Sequence, residues 1–226
     1  MAAVSKRKVK GGSIFPESKL TGSSVEILRR YGGFKVVGVY PRRKPVIPAI
    51  EKFINVISLG KYDRNKAAAG YDKMFHLGVI LMLENMRGIL VEKNEKVFIT
   101  DDYDNIDDEV IEVKYNGGAT LFEFLENARL RVGDFTFFQY NAFSNNCQAF
   151  VNNLLIANNC MTREAGEWIK QDVGKILKGL PPWVPKISQF VTDSYAKIRQ
   201  IFGAGARTYV RGGGLIKKSK KVVRKI

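Results

Sequence analysis

Nucleophilic catalysis by cysteine needs at least a thiol and an imidazole, and this chain carries two cysteines, Cys147 and Cys160, and one histidine, His76. Cys147 lies in Tyr140-Asn-Ala-Phe-Ser-Asn-Asn-Cys-Gln-Ala-Phe-Val-Asn-Asn-Leu-Leu-Ile156. Ser144 or Asn145 suits an N-cap, and Phe150, Val151, Leu154 and Leu155 recur at helical spacing. Cys147 therefore falls in the first turn of a helix, where unpaired N–H groups and the macrodipole favour a thiolate. His76 sits in the apolar run Met74 to Leu83, which reads as a buried strand. Most buried cysteines are inert core residues. The asparagines and glutamine crowded around this one argue for chemistry instead. That chemistry is acyl transfer: Cys147 attacks a carbonyl, His76 takes and returns the proton, and water or another acceptor resolves the thioester. Backbone N–H groups at the helix start would hold the oxyanion.

Phe75-His76-Leu77-Gly78-Val79 and Asn146-Cys147-Gln148-Ala149-Phe150-Val151 resemble the H-x-G-[IV] and N-C-[EQ]-x-F-[VI] signatures of the circularly permuted papain-like hydrolases. That group contains the lecithin:retinol acyltransferase-like enzymes and is related to bacterial cell-wall endopeptidases. The histidine precedes the cysteine, the reverse of papain, and the resemblance covers roughly residues 35–159. Gln148 departs from the Glu more common in the acyltransferase-like enzymes, so the substrate, a lipid ester or a peptide or amide bond, does not carry over. The resemblance implies a third group on the strand after the histidine. Glu92 and Asn94 are the candidates, because they alternate onto one face of Gly88–Phe98. Glu92 is preferred, since a carboxylate both fixes the tautomer and stabilises the imidazolium.

The elements that must position these groups give an α+β chain, and the resemblance implies a permuted papain-like core in which an antiparallel sheet packs against the cysteine-bearing helix. Ser23 or Ser24 caps a short helix through Leu28 and Arg30. Phe34 to Tyr40 reads as the first strand, closed by Pro41. Residues 41–48 read as a rigid connector with Arg42, Arg43 and Lys44 exposed. Ile50, Phe53, Ile54, Ile57 and Leu59 mark an amphipathic helix ending at Gly60. Met74–Leu83 and Gly88–Ile99 form a hairpin, and Val110–Tyr115 a further strand. Thr120-Leu-Phe-Glu123 is a capping box opening a helix to about Leu130. Phe135–Tyr140 reads as a short aromatic strand before the cysteine helix.

The chain of 226 residues carries a net charge of +15, and most of it sits in two tails. Residues 1–12 carry +4 and residues 203–226 carry +8, both without an acid. The organisation is then a basic arm (1–22), a catalytic domain (23–179), a Pro-rich linker with an amphipathic helix (180–202) and a basic tail (203–226). Such tails fit nucleic acid or capsid proteins by counterion release. Residues 186–202 carry a stripe of Ile187, Phe190, Val191, Tyr195, Ile198 and Phe202, suited to core packing or to peripheral membrane contact.

Val9-Lys-Gly-Gly-Ser13 and Val210-Arg-Gly-Gly-Gly214 repeat one phrase and resemble sites cut by adenovirus-type maturation proteases, which marks Gly12 and Gly213 as cleavage candidates. Tyr71–His76 together with Asn-Asn-Cys-Gln resembles proteins of large double-stranded DNA viruses and their satellite elements. A virion or another intracellular reducing compartment is the expected setting, and a non-enzymatic virion structural or DNA-binding protein is the rival reading. Two lone cysteines and one histidine give neither a disulfide framework nor a zinc site, and no cofactor is expected. The acidic run from Asp101, Asp102, Asp104, Asp107 and Asp108 to Glu109 lacks EF-hand spacing and reads as a solvated loop against a basic tail. No secretory leader or transmembrane stretch is expected.

Overall fold

The apolar runs pair into one antiparallel sheet of order β4-β3-β2-β1-β5, comprising β1 (Val36–Pro45), β2 (Phe75–Leu83), β3 (Gly88–Lys93), β4 (Val97–Thr100) and β5 (Glu109–Val110). The computed structural model describes residues 15–46, 48–103, 108–141 and 144–180. Strand alternation divides the sheet chemically. Phe75, Leu77, Val79, Leu81 and Leu83 of β2 and Ile89 and Val91 of β3 face one core. That core is completed by α4 (Leu121–Phe138) through Leu121, Phe124 and Leu125, and by α5 (Cys147–Ala157) through Phe150, Val151, Leu154 and Leu155. Each such side chain contributes about 1.5–3 kcal/mol by leaving water. His76, Gly78 and Glu92 fall on the other phase.

The remaining helices are α1 (Gly22–Tyr31), α2 (Pro48–Ile57), α3 (Lys61–Ala68), α6 (Arg163–Ile169) and α7 (Val173–Ile176). A smaller core of Ile54, Tyr62, Val173, Ile176, Leu177 and Leu180 joins α2, α3 and α7. The chain is thus a mixed α+β fold whose five-stranded antiparallel sheet packs against helices.

Several local expectations are corrected. Thr21, not Ser23 or Ser24, caps α1, its side chain accepting from the Ser24 N–H at 3.2 Å. β1 runs through Pro41 instead of stopping there. The Pro41 carbonyl accepts from Ile111 N on the β5 side, and a strand residue's N and O point the same way, so the missing N–H costs the β1–β2 ladder nothing. Consequently Arg42 is a buried strand residue and not part of an exposed connector. Gly88–Ile99 is two strands, because Asn94 N bonds Lys96 O at 3.0 Å and turns the chain after Lys93. The strand expected at Val110–Tyr115 is only Glu109–Val110, plus a single bridge from Val113 to Val39. Thr120 and Glu123 do form the capping box, but α4 continues to Phe138, so Phe135–Phe138 is helical and not a strand. Gly133, at φ 78° and ψ 159°, kinks α4 in a conformation that glycine alone adopts freely. α3 carries no apolar periodicity and was not expected; Tyr62 is its buried anchor. Leu59, placed on the apolar stripe of α2, is exposed.

Candidate active site

Cys147 is the first residue of α5, and the N-cap is Asn146, one residue beyond the expected Ser144 or Asn145. The Asn146 side-chain oxygen accepts from the N–H groups of Gln148 (3.0 Å) and Ala149 (3.1 Å). The Cys147 N–H is left with no acceptor among the described residues. It is the helix-start donor best placed to meet negative charge beside the sulfur.

The histidine side of the site is a row across three strands. Arg42 of β1 pairs with Gly78 of β2, which pairs with Glu92 of β3. With no side chain on Gly78, Arg42 Nη1 comes to 3.8 Å from Glu92 Oε2. A methyl group on Gly78 would stand 3.0 Å from Leu90 Cδ1 and 3.2 Å from Glu92 Cβ. Arg42 Nε in turn donates to the fully buried Asp108 carboxylate. Glu92 Oε2 lies 3.3 Å from His76 Nε2, and the His76 side chain is 19 % exposed. The ring nitrogen is not aligned for a good hydrogen bond, so the attraction is mainly between charges. Asn94, the other candidate, lies beyond the end of β3, and its side-chain oxygen is buried without a hydrogen-bond partner.

The imidazole also meets the Cys147 thiol. This contact is possible because β2 pairs with β3 only from Gly78 onward. The preceding segment, Phe75–Leu77, is open on that side, and the Leu77 N–H points to the Cys147 sulfur. The two halves of the pair thus meet at the end of the sheet, although alternation puts His76 on the face away from the α5 core.

The electrostatics follow from this packing. Burial lowers the His76 pKa, but the neighbouring Cys147 and Glu92 charges outweigh it and push the imidazole up to about 10. Burial would raise the Cys147 thiol, yet the imidazolium and the Leu77 N–H bring it below its ordinary value. Glu92 is likewise held low against its burial by His76, Arg42 and Lys44. The arrangement therefore shifts the pair toward thiolate and imidazolium. Tyr140 is pushed up by burial and then by the Cys147 charge.

Gln148 has a structural partner. Its side-chain oxygen accepts from Gln171 N (2.9 Å), while the Gln171 side chain accepts from Phe75 N (2.9 Å) and donates to Lys73 O (2.8 Å). The residue after the cysteine is thereby tied to the residue before the histidine. Sequence reasoning missed Gln171, Tyr140, Arg42 and Asp108. Arg42 was hidden by ending the strand at Pro41, and Asp108 by reading the acidic run as solvated. In fact Asp108 pairs with Arg42, Glu109 with Arg43 at 2.5 Å, and Asp101 with Arg87 at 3.6 Å. Those acids answer arginines of the domain itself.

Among the described residues no cluster of His, Cys, Asp and Glu could hold a metal ion, and no helix is long and apolar enough to cross a membrane. Gly12, Gly213, both basic tails and residues 186–202 lie outside the described residues. Compared with known protein families, curated proteins and solved structures, the chain matches none.

Proposed function

We propose that this chain is a cysteine-dependent acyl hydrolase or transferase with a permuted papain-like core. The observation that carries the reading is a part-buried histidine held between Cys147 and Glu92, with the thiol lowered and the imidazole raised. The element order, a histidine strand followed by a cysteine helix packed on the same antiparallel sheet, supports it together with the two motifs. The Cys147 thiolate adds to the carbonyl carbon, and the oxyanion draws on the Cys147 N–H. As the bond to the leaving oxygen or nitrogen breaks, His76 delivers its proton there, leaving a thioester. Water or a second acceptor then attacks the thioester, giving its proton to His76, and the sulfur departs as thiolate. Glu92, braced by Arg42 and Asp108, keeps the ring oriented and balances its charge. The substrate is a lipid ester or a peptide or amide bond. The virion setting, with tails on nucleic acid or capsid proteins, belongs to the same proposal and rests on the tail charge and the sequence resemblances.

An activated ester such as p-nitrophenyl butyrate tests the chemistry. Its acyl group should appear by mass spectrometry on the Cys147 peptide, be absent in Cys147→Ala, and form slowly in His76→Ala. If Cys147 is never acylated and its thiol reacts no faster than a free one, the non-enzymatic scaffold becomes the better reading.

A further inference from the structure

Lys93 follows Glu92 on β3 and so points to the opposite face, toward α5. It is 0 % exposed, and no carboxylate lies against it among the described residues. Lysine is almost never fully buried without a partner. Its ammonium instead donates to Thr136 O (2.7 Å) and Asn145 Oδ1 (3.2 Å), and lies 5.7 Å from the centre of the Phe150 ring. Burial pushes its pKa down to about 8. Asn145 is gripped a second time, its side-chain nitrogen donating to Thr136 O (2.8 Å) and Gln139 O (2.7 Å). Its backbone exchanges two bonds with Asn141, at 3.2 and 3.0 Å. The segment that feeds α5 is therefore tied at its base to a strand of the sheet, one residue before the Asn146 cap and two before the nucleophile.

Resting on the acyl-transfer reading, we propose that Lys93 is a positioning residue for Cys147. With Asn145 it fixes the entry to α5 and hence where the sulfur stands against the His76 ring. Two consecutive residues of β3 then hold the two halves of one site, Glu92 the ring on one face and Lys93 the thiol loop on the other. The Lys93 ammonium is engaged by Thr136 O and Asn145 Oδ1, so the role is to hold the loop.

The test is the pH profile of iodoacetamide alkylation at Cys147 in the full chain. Lys93→Met and Asn145→Ala should each move the midpoint upward, because a displaced sulfur loses part of the facing imidazolium charge. The double variant should shift no further than the larger single shift, because both act through one contact. His76→Ala should shift the midpoint furthest. Unmoved midpoints in folded variants, or shifts that add in the double variant, would overturn the role. Should Lys93→Met fail to fold, Asn145→Ala alone decides, since that side chain is only part-buried. A wild-type midpoint no lower than a free thiol's sinks the acyl-transfer reading itself. A lowered wild-type midpoint with unaffected variants sinks the role of Lys93 alone.

Discussion

Cys147 and Cys160 stand at opposite ends of the same helix, both buried, and their thiols are driven in opposite directions. Cys147 opens α5, faces an imidazolium and the Leu77 N–H, and is lowered. Cys160 follows the helix end, where Asn159 takes a positive φ of 54° and the Cys160 thiol donates to Leu155 O at 3.4 Å. A carbonyl acceptor favours the protonated thiol, and burial pushes Cys160 up to about 12. Burial alone thus does not separate a reactive cysteine from an inert one. The helix end and the facing charge do.

The sharpest way to break this contrast is to remove the imidazole. Cys147 owes its lowered pKa to His76, while burial and the Glu92 charge both push it upward. In His76→Ala only the Leu77 N–H still opposes those two, so the thiol should rise. Wild-type labelling should persist below the usual thiol range near 8.5 and fade as acid protonates the sulfur. At pH 7 the variant should label more slowly, because less of its thiol is ionised. Peptide mass spectrometry after timed iodoacetamide exposure reads this directly, and equal labelling of the two cysteines in wild type would end the contrast.

A smaller effect should follow from filling the gap at Gly78. Gly78→Ala puts a methyl group 3.0 Å from Leu90 Cδ1, 3.1 Å from Val91 O and 3.2 Å from Glu92 Cβ, between Arg42 and Glu92. Overpacking of this kind costs about 1–3 kcal/mol. Displacing Glu92 should also loosen its hold on the His76 ring and slow Cys147 labelling, by less than the loss of His76 itself. Urea denaturation and the same labelling assay separate the two losses. Loss of stability with unaltered labelling would show that the row across the sheet supports the fold only.

How far the sequence reveals this site depends on the kind of force at each position. Period-two alternation exposes β2, β3 and the shared face of His76 and Glu92, because a buried sheet face demands it. It also places Lys93 in phase with Ile89 and Val91, a signal of a buried lysine that is easily read as the strand's polar end. Asn94 keeps the right phase on paper, but the turn at Lys96 removes it from the strand. Phe135–Phe138 has β-forming residues, and only the tertiary packing of Phe137 and Phe138 into the core makes it helical. The Gln148–Gln171 link joins residues 23 apart through one side-chain bond, which no local pattern announces.

The smallest expected effect sharpens the comparison from its inert side. Cys160→Ala removes a buried sulfur but leaves Leu155 O accepting from the residue 160 N–H, now at 3.0 Å, so no acceptor is stranded. The loss should stay near 1–2 kcal/mol, the ordinary range for a small core truncation. At about 1.5 Å per residue, the eleven residues of α5 separate the two thiols by roughly 15 Å or more, beyond the reach of a neutral group. Labelling at Cys147 should therefore stay within about twofold of wild type, as expected for distant sites without a shared partner. A change well beyond twofold would mean that the far end of α5 sets the register of Cys147 against His76, and the helix would then be a lever between the two thiols instead of a spacer.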